Sequence, residues 1–192
     1  MSQAADTKTQ IIDRARELMM KHGFNGFSYR DISSQLGVKN AAIHYHFPSK
    51  TDLVRALIDD LHETLRRGTS EFMAYGGSAR KQLEGLFCFT LDQCRAGRPV
   101  CVVGALAVDY DEFPEEVKAA NNRFMDDTRK WMVRVLELGR EQGEFKFDGD
   151  PEDKAIAIQA ALQGGRQQYR IFGEEYLQRL FAQIRLDLGI VD

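Results

Sequence analysis

The chain has 192 residues, 43% hydrophobic and 29% charged, the balance of an ordinary globular protein of one domain or two small ones. That composition excludes a disordered or fibrous chain, and no apolar stretch approaches the ~18 residues of a membrane span. Lys and Arg number 26 against 29 Asp and Glu, and the net charge of −3, taken whole, speaks against a nucleic-acid binder.

Only four prolines occur, at 48, 99, 114 and 151, and the long intervals between them are rich in Ala, Leu, Glu, Gln, Lys and Arg. Because proline costs about 3 kcal/mol inside a helix, these intervals read as helical. The best β-like run, Val100 to Val103, is too short and isolated to pair. The expected fold class is all-α, with about nine helices.

A first helix is predicted from Thr7, where Thr7-Lys8-Thr9-Gln10 fits a capping box, to Gly23. Ile11, Ile12, Ala15, Leu18 and Met19 recur at helical spacing along it. Phe24 to Phe27 form a loop with two aromatic plugs. Ser28-Tyr29-Arg30-Asp31 is a second capping box, opening a short helix with Ile32 and Leu36 inward. Gly37 stands where a left-handed residue must stop that helix, and Val38 folds back over the stop. Asn40 is a candidate N-cap for another short helix, Ala41 to Phe47, ended by Pro48. Two short helices joined by a tight glycine turn form a helix-turn-helix. Ser49-Lys50-Thr51-Asp52 is a third capping box. It opens a long helix with Leu53, Val54, Leu57, Ile58, Leu61 and Leu65 on one face.

After a break at Gly76-Gly77-Ser78, helices are predicted from Ala79 to Ala96 and from about Val102 to Val108. A further helix starts with Pro114 at its first position and runs to near Gly143. Asp150-Pro151-Glu152-Asp153 is a strong start signal for an Ala-rich helix reaching Phe172. A last helix covers Glu174 to about Leu188.

The charge is unevenly distributed. Residues 1–67 hold 10 Lys and Arg, 8 Asp and Glu and all four histidines, for a net of +2, whereas residues 68–192 net −5. Within 21–50, Lys21, Arg30, Lys39 and Lys50 face the single acid Asp31. The acidic total is an average over a basic helix-turn-helix and an acidic remainder. His44 and His46 stand two apart on a helix and so point in different directions, which makes a poor metal pair. The three cysteines, Cys88, Cys94 and Cys101, include no CxxC pair, so neither a disulfide framework nor a structural zinc site is expected. No metal or cofactor is implied. There is also no nucleophile motif and no phosphate loop that would suggest an enzyme. The first ten residues lack the apolar core of a signal peptide, so the expected location is the cytoplasm.

The run Gly26-Phe27-Ser28-Tyr29-Arg30-Asp31-Ile32-Ser33, then Leu36-Gly37-Val38, then Ala42-Ile43-His44-Tyr45-His46-Phe47-Pro48-Ser49-Lys50-Thr51-Asp52-Leu53 resembles the DNA-binding domain of TetR/AcrR-type transcriptional repressors. The resemblance covers about residues 8–60. It implies a DNA-binding domain over residues 1–48, followed over 49–192 by a helical domain for effector binding and dimerisation, whose first helix links the two. It also implies a homodimer on a palindromic operator, most simply a repressor released by a small-molecule effector. Where the family commonly has Tyr, this chain has His44, with Tyr45 following, so the phosphate-contacting role stays divided between them.

The second helix of such a motif enters the major groove, which puts Lys39, Asn40, Ala41 and Ala42 nearest the bases. Asn40 can serve there or as a cap. Ser28, Tyr45 and Lys50 are the phosphate candidates, with Tyr29 and Arg30 beside them.

The C-terminal half is more loosely similar to a subclass with Cys101-Val-Val-Gly-Ala-Leu-Ala107 followed by Phe113-Pro114-Glu115. In related repressors a cysteine near this position can sense electrophiles or oxidants. That requires an accessible thiolate near cations, and the other reading of Cys88, Cys94 and Cys101 is simple packing. A non-covalent apolar effector would need an aromatic and soft lining, which Phe72, Phe87, Leu91, Phe124, Met125, Trp131 and Tyr169 could supply if they are not ordinary core. Gln163, Arg166 and Gln167 could orient such a ligand or sit in a dimer seam. A helical adaptor that has kept the motif without DNA affinity is the remaining alternative.

Overall fold

The computed structural model describes the backbone of residues 3–74, 77–98, 100 and 102–190, and the side chains of these outside 3–6 and 70–74. Among the described residues there are nine α-helices, one 3₁₀ turn and no strand. The helices are α1 (Gln3–His22), α2 (Tyr29–Leu36), α3 (Asn40–His46), α4 (Lys50–Ala74), α5 (Ala79–Arg95), α6 (Val102–Leu106), α7 (Glu115–Glu141), α8 (Pro151–Phe172) and α9 (Glu174–Asp187). The all-helical expectation holds. No described helix is long and apolar enough to cross a membrane.

Several boundaries differ from the local signals. α1 begins at Gln3 rather than Thr7, because nothing between them stops a helix. α3 is capped by Lys39, which leaves Asn40 as its first helical residue rather than its cap, and it closes at His46, one residue before the expected end. α7 starts at Glu115, with the carbonyl of Pro114 accepting from the N–H groups of Val117 (3.0 Å) and Lys118 (3.1 Å). The 3₁₀ turn Tyr110–Glu112 carried no sequence signal.

The chain packs as two compact units, Met1–Glu63 with Cys101–Phe124, and Thr64–Val100 with Met125–Asp192. This division differs from a boundary after residue 48. The start of α4 and the segment 101–124 pack with the helix-turn-helix, because their apolar faces complete its core. In this first unit Ile11, Met19, Ile32, Ile43, Leu53 and Leu57 are fully buried, and Val102, Leu106, Phe113 and Val117 close the same cluster.

The second unit is built around Phe87, Leu91, Trp131, Leu136, Phe145, Leu162, Leu177 and Phe181, with the rings of Phe87 and Phe181 stacked at 4.4 Å. The first N–H groups of α5 are satisfied from the segment that follows α7. Ala79 N–H donates to Gln142 Oε1 (3.0 Å) and Arg80 N–H to Glu144 Oε2 (2.7 Å). The Asp150 carboxylate accepts from Glu152 N–H at 2.8 Å, as its start signal predicts. Arg185 grips Glu84 in a two-pronged pair (2.7 and 2.6 Å) that ties α9 to α5.

On α7, a Cβ at Gly139 would lie 2.0 Å from the Phe145 ring, whereas nothing stands within 4 Å of one at Gly68 on α4. Gly139→Ala is therefore expected to cost about 1–3 kcal/mol through overpacking. Gly68→Ala is expected to add about 0.5–1 kcal/mol through helix propensity. Urea denaturation of the two variants checks the opposite signs.

Candidate nucleic-acid interface

α2 and α3 have eight and seven residues, too few to persist alone in water. Their ends are fastened individually. The Asp31 carboxylate accepts from the backbone N–H of Ser28 (2.7 Å) and from its hydroxyl (2.7 Å). These bonds hold the Asp31 carboxyl below its ordinary pKa. At the other end of α2, Gly37 takes φ +67°, a left-handed conformation open to glycine at no steric cost, and Val38 N–H returns to Ser33 O at 3.1 Å. α4 opens on a reciprocal box: Ser49 N–H and its hydroxyl donate to Asp52 (3.0 and 2.7 Å), while Asp52 N–H donates to Ser49 Oγ (3.1 Å). Asp52 is likewise held below its ordinary value, chiefly by Ser49.

The expected contact residues fall into two groups. Ser28, Arg30, Lys39, Asn40, Ala41, His44 and Tyr45 are exposed, Tyr45 at 82%, and Ala42 is half-buried. The opposite side of α3 is anchored by Ile43, which is fully buried. The N-terminal end of α3 is thus exposed over Lys39, Asn40 and Ala41, with Asn40 released from the capping role.

Tyr29 and Lys50 are placed differently from their sequence reading. The Tyr29 hydroxyl donates to the carbonyl of Phe47 at 2.9 Å, bracing the start of α2 against the end of α3. Burial, then the nearby Asp52 charge, pushes its phenol up to about 12. Its ring meets that of His44 edge-on at 4.8 Å. The Lys50 ammonium turns into the molecule, donating to the carbonyls of Phe24 and Phe27. It sits 4.6 Å from the Phe24 ring centre and 4.1 Å from that of Phe27. Burial draws its pKa down against a smaller opposing effect of Asp31. A long side chain was expected to reach outward; two carbonyls and two ring faces retain it instead.

The loop that Lys50 enters is also held by the segment 101–124. Asp109 Oδ2 accepts from Phe24 N–H at 3.2 Å, Asn25 Nδ2 donates to Glu112 Oε2 at 2.6 Å, and the rings of Phe24 and Phe113 meet at 4.8 Å. Sequence reading missed these partners because 85 residues separate Phe24 from Asp109 and no local pattern links them.

The residues read as an effector lining are divided. Phe87, Leu91, Cys94 and Trp131 lie in the core of the second unit, with Tyr169 packed against it. Phe124 packs in the first unit, its ring 5.3 Å from that of His62. Met125 accepts through its carbonyl from Gln159 (3.4 Å) on α8. Gln163 is half-buried, as is Arg166, which donates to the Arg98 carbonyl at 2.8 Å. The Phe72 side chain and Cys101 lie outside the described residues. Burial raises the Cys94 thiol pKa, and the adjacent Arg166 only partly offsets this, so Cys94 is disfavoured as a thiolate. Cys88 is exposed.

Two family descriptions match the chain: "Bacterial regulatory proteins, tetR family" over residues 11–57 and "Tetracyclin repressor-like, C-terminal domain" over residues 88–184. The chain is 34% identical over 170 residues to the HTH-type transcriptional regulator TtgR of Pseudomonas putida, covering 84% of this chain and 79% of that one. It is 30% identical over 155 residues to the HTH-type transcriptional repressor KstR2 of Rhodococcus jostii, covering 76% and 71%. A TetR transcriptional regulator from Legionella pneumophila superposes with a TM-score of 0.85 at 27% identity, covering 95% of this chain and 97% of that one.

Removing the Tyr29 hydroxyl, as in Tyr29→Phe, is expected to cost about 0.5–1.5 kcal/mol of stability, the net worth of one hydrogen bond. The phenol's raised pKa makes its contribution fully present below the unfolded value near 10, and it is lost as pH rises through about 12. Denaturation of wild type and variant near pH 7, with a spectroscopic tyrosine titration, checks both.

Proposed function

Because the chain belongs to the TetR family of bacterial regulatory proteins, whose members are DNA-binding transcriptional regulators rather than enzymes, we propose that it works as a repressor. In this reading two copies bind a palindromic operator from the cytoplasm, and a small-molecule effector taken up by the C-terminal region releases it. Regulators of the family bind operators, act as dimers and take small-molecule effectors.

The observation carrying the reading is the exposed N-terminal end of α3, held by a buried Ile43 behind it and framed by the opening turn of α4. Lys39 and Asn40 offer hydrogen-bond donors to base edges, and Ala41 and Ala42 permit close approach or contact with a thymine methyl. Ser28, Arg30, His44 and Tyr45 are assigned to the phosphates. The first-turn N–H groups of Lys50 and Thr51, which have no carbonyl within the helix to bond, supply a further anion-binding edge. With a net charge of −3 per chain, bulk attraction to DNA is weak, so affinity must come from these placed contacts and from the spacing of two half-sites.

For the effector, the supporting feature is the aromatic and soft character of the second unit, where Phe87, Leu91 and Trp131 form part of the core and Tyr169 packs against it, with the half-buried Gln163 and Arg166 as orienting polar groups. A non-covalent apolar ligand is favoured over an electrophile captured at Cys94, since burial works against a thiolate there. Alkylating the exposed Cys88 is then expected to leave DNA affinity unchanged, and a large loss would reinstate the electrophile reading.

The primary test is selection of duplexes from a random pool by the purified protein, followed by footprinting. The expected result is one palindromic sequence, with an affinity that falls about tenfold between 50 and 200 mM salt if Arg30 is the one cation of each copy on a phosphate. Lys39→Ala and Asn40→Ala should each weaken binding and relax the preference at one base pair per half-site. Failure to enrich any sequence would leave the helical adaptor as the better description.

A further inference from the structure

We propose that Lys50 is a positioning residue for DNA binding and not a phosphate contact: together with Asp109 it clamps Phe24 from both sides, and this clamp sets the turn that carries Ser28 and the opening of α4. The inference rests on the DNA-binding reading above and adds to it a residue pair and a job.

Phe24 is the node. Its N–H is taken by the Asp109 carboxylate (3.2 Å) and its C=O by the Lys50 ammonium. Its ring is met by Lys50 Nζ (4.6 Å from the ring centre) and, edge-on, by the Phe113 ring (4.8 Å). The ammonium makes a second bond to the carbonyl of Phe27, over whose ring it also sits at 4.1 Å. A compact ammonium with three tetrahedral donors can serve two carbonyls while lying against two ring faces; a planar guanidinium cannot reproduce that arrangement.

The loop so held has little freedom of its own. Gly23 takes φ +73°, and at Gly26 a Cβ would stand 2.1 Å from the backbone carbonyl of His22, so the turn is close-wound against the end of α1. Phe27 runs directly into Ser28, the cap of α2, and Lys50 is the first residue of α4. The clamp therefore ties the starts of two elements that face the phosphates to one backbone unit. Asp109 belongs to the segment 101–124, far along the chain from the reading helices, so a shift of that segment would be felt at the loop through this carboxylate and through the Asn25–Glu112 bond.

A phosphate contact and a clamp predict opposite behaviour. In the wild-type full chain without DNA, trace acylation with acetic anhydride and peptide mass analysis compares Lys50 with the exposed Lys39. The clamp predicts that Lys50 reacts about tenfold or more slowly, with DNA present or absent. A phosphate contact would react like Lys39 when free and become protected only by DNA, and that result would overturn the proposal.

Two variants are then titrated against the duplex selected from the random pool. Lys50→Arg keeps the charge, so a phosphate contact would survive it. The clamp predicts about a tenfold loss, as for a bond of roughly this worth. Asp109→Ala removes a negative charge, which by electrostatics alone strengthens DNA binding; the clamp predicts a weakening of similar size. Retention of wild-type affinity in Lys50→Arg, or tighter binding in Asp109→Ala, would sink the proposal. If Lys50→Arg fails to fold, Asp109→Ala and the acylation pattern still decide it. If no duplex is selected, the DNA-binding reading fails by itself, and the acylation rates alone then decide whether the clamp exists.

Discussion

A seven-residue helix does not hold itself together in water, since nucleation fixes several residues for each hydrogen bond gained. Helix α3, to which the proposed function gives the reading of bases, is of this kind, and its usefulness depends on being held from outside. Ile43 pins it to the core, the Tyr29 hydroxyl secures its end through the carbonyl of Phe47, and the capping boxes at Ser28 and Ser49 fix the helices on either side. The capping bonds connect residues three positions apart and the Tyr29–Phe47 bond residues 18 apart, all within the motif, so it can form on the apolar floor that α1 and α4 provide. Rigidity here serves recognition: side chains that read base edges must be held in position by groups that do not touch the DNA.

Charge is placed with the same restraint. The cations of the first 67 residues are few, and one of them, Lys50, is turned into the protein. An ammonium leaves water only where acceptors replace its hydration, and two carbonyls and two ring faces do so. A protein with this distribution gains little from long-range attraction and depends on geometry. The dimer and the operator symmetry proposed for it fit that requirement, because doubling a small set of placed contacts raises affinity without adding general stickiness.

The packing units are not contiguous in sequence. Residues 101–124 close the core of the DNA-binding helices, with Val102, Leu106, Phe113 and Val117 in the same cluster as Ile11 and Leu57. The second unit has its own core around Phe87, Trp131 and Phe181, and among its polar ties are the Arg185–Glu84 and Arg95–Glu174 pairs. Aromatic residues alike in character divide accordingly, Phe124 with the first unit and Trp131 with the second.

Local pattern was enough for the helical class, the helix-turn-helix, the Gly37 stop and the Asp150-Pro151 start, because capping and left-handed turns involve residues within a few positions of one another. It was enough for the exposed tip of α3 as well, since Ile43 and the turn leave that face outward. It could not reveal that Lys50 points inward, that Tyr29 braces Phe47, or that Asp109 holds Phe24. Those contacts join residues 18 to 85 positions apart, and a side chain's direction is chosen by whatever the folded chain brings beside it. Periodicity names the face of a helix that will be buried; only the packed structure decides which distant carbonyl or ring receives a polar group there.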